Sequence, residues 1–257
     1  MKTIAVATKK GGPGKTTTTL NTGAALAKQG KKVLLIDLDP QRNLSDTLGY
    51  VQDNQPTTIN ELLYFGAYGM SCDFQQFIRH NEAEGLDFIP ATCTLDTAPT
   101  VLAVAKDGST VLARILQQEF FQQYDFILLD CRAAIDLLTT NALAASDGVI
   151  IPVEPEEYSV NGLADMMEAI TTSQSQFNPA LEITGVLITK ADGRRNSVGA
   201  VRADLKEVLG DKVFQTTIPY LNEAPEAVKK RCSCVSMKNS RIGACYMEVA
   251  GEVLKWA

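Results

Sequence analysis

Lys9-Lys10-Gly11-Gly12-Pro13-Gly14-Lys15-Thr16-Thr17, at the end of the first apolar run, decides how the rest of the chain is read. It fits the phosphate-loop pattern G-x-x-x-x-G-K-[ST] only if Lys9 takes the first Gly position, and this deviation puts a second lysine, Lys10, inside the loop. Gly11, Gly12 and Gly14 let the backbone approach phosphate oxygens and take positive φ where needed. A helix starting near Lys15 points free N–H groups and the positive end of its dipole at an anion. Lys15 supplies a point charge for the β/γ-phosphates, and the Thr16 hydroxyl a ligand for Mg²⁺. Pro13 has no N–H, so the phosphate nest is built from its neighbours.

The flanks agree with that reading. Thr3-Ile4-Ala5-Val6-Ala7-Thr8 reads as a short buried strand. Thr16 to Lys28 reads as a helix, with Leu20, Ala24 and Ala27 at helical spacing and Gly30 as a stop. Downstream, Lys32–Asp37, Leu86–Pro90, Asp125–Asp130, Gly148–Val153, Ile183–Thr189 and Val213–Ile218 read as strands. Helices are predicted around Thr57–Leu63, Gly108–Phe121, Leu137–Ala145, Tyr158–Thr172, Val198–Leu209 and Arg241–Ala257. Repeated βα units predict an α/β fold, a doubly wound, mostly parallel sheet with helices on both faces, of the P-loop NTPase type. No repeat, low-complexity tract or linker divides residues 1–257, so a single domain is expected.

Composition narrows the classes. Hydrophobic content of 45% is ordinary for a globular chain with a sizeable core. No apolar stretch approaches the ~20 residues of a membrane span, and no signal peptide precedes the first strand. Six cysteines (72, 93, 131, 232, 234, 245) show neither a disulfide framework nor a C-x-x-C pair, which points to free thiols in a reducing cytoplasm. Cys232-Ser233-Cys234 lacks the four ligands of a structural zinc, and the single histidine, His80, sits in a polar stretch that reads as solvated surface. The net charge of −6 is uneven: between Lys190 and Arg241 there are 11 Lys/Arg against 6 Asp/Glu. That basic stretch is either a local polyanion site or an ordinary solvated face.

Two acidic sites belong with the loop. Asp37-Leu38-Asp39-Pro40-Gln41 ends the second strand, and Asp130 ends an apolar strand of its own. In a parallel sheet the ligand sits beyond the carboxyl ends of the strands, so these carboxylates converge on the Mg²⁺–phosphate end of a nucleotide. Asp130 is the natural metal-side acid, directly or through a water, and Asp39 is placed nearby to orient a water for in-line attack. The competing reading of each is a helix cap or a turn residue.

Taken together, Lys10–Thr17, Leu34-Leu35-Ile36-Asp37-Leu38-Asp39-Pro40-Gln41 and Tyr124-Asp125-Phe126-Ile127-Leu128-Leu129-Asp130-Cys131 resemble the ParA/Soj family of deviant Walker ATPases. Leu138-Thr139-Thr140-Asn141-Ala142-Leu143, Ile151-Pro152-Val153, Ile188-Thr189-Lys190-Ala191-Asp192-Gly193-Arg194 and Asn222-Glu223-Ala224-Pro225 extend the likeness over nearly the whole chain. The resemblance implies an Mg²⁺-dependent ATPase, slow until a partner stimulates it, that cycles between ATP and ADP. It implies Lys10 as the signature lysine reaching across an ATP-sandwich homodimer, Lys15 as the Walker lysine, Thr16 as the Mg²⁺ ligand, Asp39 as the water-positioning acid and Asp130 as the Walker B acid. It puts the adenine pocket near Thr189, Lys190 and Pro219. It further implies non-specific DNA binding by the ATP-bound dimer, association with the nucleoid, and a ParB-like centromere-binding partner for partitioning a plasmid, chromosome or mobile element.

The sequence departs from the family in two places. Arg132-Ala133-Ala134 stands where the family has Pro-Pro-Ser after its Walker B Asp-Cys, and Arg132 there is read either as a phosphate or partner contact or as an outward loop residue. The segment after Ile218-Pro219 lacks the family's arginine, one of those it uses for DNA. Arg194, Arg195, Arg202, Lys229, Lys230 and Arg231 are the candidates to replace it. Three alternatives share the nucleotide site. A MinD-like membrane-positioning ATPase needs a basic amphipathic tail, whereas Met247–Ala257 has one lysine and two glutamates and reads as a packed helix. An iron–sulfur reductase needs cysteine spacings that are not present. A nucleotide switch poor in hydrolysis is the third, given Arg132-Ala133-Ala134.

Overall fold

The computed structural model describes residues 1–52, 57–155, 160–192 and 197–257. In chain order its first half runs β1 (Lys2–Val6), α1 (Lys15–Lys28), β2 (Val33–Leu38), α2 (Asn43–Thr47), α3 (Ile59–Tyr68), β3 (Arg79–Asn81), β4 (Leu86–Ile89), α4 (Ala98–Val104), α5 (Val111–Leu116) and β5 (Phe126–Cys131). The second half runs α6 (Leu137–Ala144), β6 (Gly148–Val153), α7 (Val160–Gln176), β7 (Glu182–Ala191), α8 (Ser197–Leu209), β8 (Val213–Pro219), α9 (Glu223–Lys230) and α10 (Arg241–Trp256). The strands form one eight-stranded sheet in the order β3-β4-β2-β5-β1-β6-β7-β8. Every pairing among the described residues is parallel except β3 with β4 at one edge.

The near-continuous apolar runs of β2, β5 and β6 are buried at every position because helices cover both faces of the sheet. Side chains alternate between the faces. Leu34, Ile36 and Leu38 join the layer of α3 to α8, while Val33 and Leu35 join the layer of α1, α9 and α10. The chain's closing helix is therefore packed, as its sequence predicts. Ile242, Tyr246, Val249, Ala250 and Val253 of α10 are buried, and the Tyr246 hydroxyl lies 3.1 Å from the Thr18 hydroxyl of α1.

The predicted helix over Gly108–Phe121 is interrupted. A 3₁₀ turn (Gly108–Thr110) precedes α5, and a second (Glu119–Gln123) follows it. The side-chain amide of Asn141 explains the irregular start. It donates to Gly108 O at 2.7 Å and accepts from Leu112 N–H at 3.0 Å, standing between two groups that would otherwise bond each other in a regular helix. His80 lies on the short edge strand, exposed as expected, with its Nδ1 2.7 Å from Asp87.

Glu84, in the turn between β3 and β4, ties the C-terminal layer to the edge of the sheet. The buried Glu84 carboxylate accepts hydrogen bonds from Ser233 N–H (2.7 Å), the Ser233 hydroxyl (2.6 Å) and the Ser236 hydroxyl (2.8 Å). Gly243 then lets α10 approach the backbone of that segment, because a Cβ there would lie 2.4 Å from Cys234 O. Gly243→Ala is expected to destabilise the fold by ~1–3 kcal/mol through overpacking against an immovable carbonyl. A fall in the thermal unfolding midpoint checks it, and an unchanged midpoint would mean the segment simply moves aside.

Candidate nucleotide site

β1 lies between β5 and β6, so the loop leaving its carboxyl end emerges at the centre of the sheet and feeds directly into α1. Gly12 (φ 102°) and Gly14 (φ 87°) take positive-φ conformations that side chains resist, the kind of backbone from which an anion nest is built. The Lys15 ammonium donates to Lys10 O at 2.9 Å, folding the side chain back under the loop, and only 8% of the residue is exposed. Burial lowers its pKa from the ordinary lysine value, opposed by the charges of Asp130, Cys131 and Asp39. Pro13 contributes its carbonyl rather than an N–H: the buried Thr189 hydroxyl donates to Pro13 O at 2.7 Å and lies 3.2 Å from Val153 O. The loop is thereby tied to the ends of β6 and β7.

The acids arrive on neighbouring strands. Asp37 of β2 and Asp130 of β5 are register partners. Asp130 accepts the Thr19 hydroxyl on Oδ1 at 3.2 Å, while its Oδ2 is buried with no hydrogen-bond partner among the described residues. Its pKa is raised well above the carboxylate range by burial and then by Asp37 and Asp39, with the Thr16 hydroxyl and Lys15 opposing. Burial also pushes Asp37 up to about 6, with Asp39 adding to it, against hydrogen bonds from Ser45 and the Asp39 N–H. Asp39 itself stands half-exposed on the following loop, where its Oδ1 accepts Gln41 N–H at 2.9 Å.

The structure thus brings Lys10 to Thr17, Asp39 and Asp130 to one end of the sheet. Thr189, Lys190 and Pro219 lie at the carboxyl ends of β7 and β8, where Ala191 and Pro219 are register partners. Lys190 has φ 51° and pairs with Glu154 at 3.2 Å, and its Nζ would be 4.0 Å from a Cβ at Gly12. Arg194 and Arg195 fall outside the described residues. Arg202 is turned onto the sheet edge, donating to Phe214 O (2.9 Å), Gln215 O (3.1 Å) and the Thr217 hydroxyl. Lys229, Lys230 and Arg231 are exposed at the end of α9. The Arg132 guanidinium is held by Asp96 at 3.3 Å and Asp136 at 3.4 Å.

Sequence reasoning missed a second layer behind these residues. Asp37 Oδ2 accepts both the N–H (2.9 Å) and the hydroxyl (2.6 Å) of Ser45, its Oδ1 accepts Asp39 N–H (3.1 Å), and the Ser45 hydroxyl oxygen accepts Ala91 N–H (2.9 Å). Both side chains are fully buried. The available signal was Asp37 itself, a carboxylate inside an otherwise apolar strand, which requires dedicated donors. Lys9 has a partner of its own, Asp165 of α7, at 2.9 Å.

A glycine loop with two lysines at the centre of a doubly wound sheet, flanked by strand-end acids, defines a P-loop protein of the deviant Walker kind. A family model described as an AAA domain matches residues 1–183. The chain is 38% identical over 255 residues to the sporulation initiation inhibitor protein Soj of Bacillus subtilis, covering 98% of each. It is 36% identical over 229 residues to the chromosome partitioning protein ParA of Caulobacter vibrioides, covering 88% of this chain and 84% of that one. The chain belongs to this AAA-domain family of ParA/Soj ATPases. Among solved structures, the cobyrinic acid a,c-diamide synthase of Mycobacterium smegmatis with bound ADP and magnesium superposes with a TM-score of 0.84 at 29% identity, covering 99% and 94%. A variant of the McdA protein of Cyanothece, in complex with ATP, gives 0.84 at 26%, covering 99% and 96%.

Proposed function

We propose that this chain is an Mg²⁺-dependent ATPase of the ParA type, a single domain over residues 1–257 that works as a nucleotide-switched homodimer on DNA. The observation that carries the reading is the pairing of a buried, unpartnered Asp130 Oδ2 with a Lys15 ammonium that donates to a loop carbonyl. Both are groups set aside for an incoming ligand: one lacks a partner among the described residues and the other has one it can exchange. The donor set fits Mg²⁺, which takes few protein carboxylates and relies on phosphates and waters. Thr16 and Asp130 would hold the ion, Asp130 directly or through a water, with Asp39 nearby, and the ion would neutralise charge on the phosphate oxygens.

The residues have separable tasks. Gly11, Gly12, Gly14, Thr16 and Thr17 present the loop and helix N-terminus to the phosphates. Lys15 transfers its ammonium from Lys10 O to the β/γ-phosphate oxygens. Asp39 orients the attacking water, a positioning task more than a basicity task. The ends of β7 and β8 near Thr189, Lys190 and Pro219 bound the adenine, Thr189 by holding the loop through Pro13. Lys10 completes the partner subunit's site. The ATP-bound dimer binds DNA through phosphates with little sequence preference and steep salt dependence. Arg202 donates to β8, so among the described candidates Lys229, Lys230 and Arg231 are the ones left to carry that surface. A ParB-like protein stimulates turnover and releases the DNA, and the ATP-bound form sits on the nucleoid in the cytoplasm.

The packed α10 argues against a MinD-like membrane tail, because its apolar face is already covered by α1 and β8. Among the described residues no helix is long and apolar enough to cross a membrane. DNA retention by wild type and Lys10→Ala, each with ATP or ADP, tests the switch. Wild type with ATP is expected to retain DNA at least about tenfold better than with ADP, and Lys10→Ala to lose that difference. Equal binding in all four conditions would overturn it.

A further inference from the structure

The loop that follows Asp130 is held mostly by its own helix. Asp136 Oδ1 caps α6 by accepting Leu138 N–H (3.1 Å) and Thr139 N–H (3.2 Å), and the Thr139 hydroxyl donates to Ala134 O (2.6 Å). Arg132 reaches further. Its guanidinium takes the second oxygen of Asp136 at 3.4 Å and also Asp96 at 3.3 Å, a residue of the 3₁₀ turn Cys93–Thr97 that follows β4.

That turn has a connection on its other side. Ala91, just ahead of it, donates its N–H to the Ser45 hydroxyl, and Ser45 donates to Asp37, which in turn accepts the N–H of Asp39. A continuous path therefore runs from the Asp39 loop through Asp37, Ser45, Ala91 and Asp96 to Arg132 and the loop leaving Asp130. Asp37 and Asp130 are also adjacent in the sheet, which closes the ring. Arg132 is the member that joins the two acidic loops on the outer side.

We infer that Arg132 is a positioning residue: bridging Asp96 and Asp136, it sets the loop of Asp130 relative to that of Asp39 and so governs turnover rather than nucleotide affinity. The inference rests on the ATPase reading above. Ala133 and Ala134 give this loop no backbone stiffness of their own, and an ion-pair clamp supplies it. One guanidinium nitrogen, Nη1, stands between the two carboxylates and pairs with both.

The test measures kcat and nucleotide affinity separately for Arg132→Ala, Asp96→Asn, the double variant and Arg132→Lys. Each single variant should lose about fivefold in kcat, the equivalent of one partly exposed ion pair of ~1 kcal/mol. ADP and ATP affinities should stay within about twofold. The double variant should be no slower than either single one, since both remove the same link, and Arg132→Lys should recover at least half of the loss. Asp96→Asn decides against direct phosphate contact by Arg132, because freeing the guanidinium from Asp96 would then leave kcat unchanged or raised. That result, or losses that multiply in the double variant, would overturn the inference. A wild type that neither binds nor hydrolyses nucleotide would instead sink the ATPase reading.

Discussion

Replacing Lys15 by alanine is expected to lower ATP turnover by at least ~10²–10³-fold, the loss typical when one preorganised charge is withdrawn from a transition state. The magnitude follows from where the ammonium sits. It is buried beneath the glycine loop, and its hydrogen bond to Lys10 O keeps it there until a stronger acceptor arrives. Burial lowers its pKa, while Asp130 and Asp39 favour the charged form, so the side chain is a cation that its surroundings solvate incompletely. A phosphate is the partner that improves this balance most. Lys15→Arg should not rescue activity, because the guanidinium is a broad planar fork and the space under the loop fits a compact ammonium. Phosphate release under saturating Mg²⁺–ATP is the measurement. Turnover within about tenfold of wild type would remove Lys15 from the phosphate site.

Much of this site is legible in the sequence, and the reason is local. A strand, a glycine loop and a helix are contiguous in sequence, so Lys10, Lys15 and Thr16 need no long-range packing to be placed. The runs Lys32–Asp37, Asp125–Asp130 and Gly148–Val153 are legible because a sheet covered on both faces demands apolar residues at every position. Features made by distant partners are not. The edge strand β3 is Arg79-His80-Asn81, with no buried residue among its three, so no apolar pattern marks it. The break at Gly108 depends on the Asn141 amide, which arrives from α6. Helices α2, α4 and α9 are short, and short helices depend on tertiary contacts more than on periodicity. Arg202 can be counted as a positive charge from sequence, but not that its charge is turned onto β8. Arg132 is the clearest case: the departure from the family pattern is visible in the sequence, yet its meaning depends on Asp96, which nothing in the sequence pairs with it.

Asp130→Asn is expected to separate stability from function in opposite directions. In metal- and nucleotide-free protein, Asp130 carries an oxygen that is buried and, among the described residues, unpartnered, beside a second buried carboxylate, Asp37. Its folded-state pKa is raised well above its unfolded value, chiefly by burial. For an acid shifted in that direction the native state holds more protons than the unfolded state between the two pKa values. Stability therefore falls as pH rises from the ordinary aspartate range through the folded value, and the penalty is fully present above it. The amide never ionises in either state, so it removes the cost of keeping this acid protonated, or charged, in a buried site. The variant should then be more stable than wild type at neutral pH, by on the order of 1–3 kcal/mol. It should also lose the part of the decline in stability between mildly acidic and neutral pH that Asp130 contributes, leaving the part due to Asp37, which is pushed up to about 6. Adding Mg²⁺ with nucleotide reverses the order. Wild type gains stability from a ligand that binds only the native state, whereas the variant gains less and hydrolyses ATP at least ~10²-fold more slowly. Thermal unfolding across pH, with chelator and then with Mg²⁺–ADP, reads both halves. Equal midpoints for the two proteins in chelator would show that burial in the free site costs the Asp130 carboxyl nothing, and that it is not held in reserve for a metal-bound phosphate. A strained acid at the end of a central strand makes physical sense only if the ligand relieves the strain, and the reversal on adding Mg²⁺ is the result that establishes it.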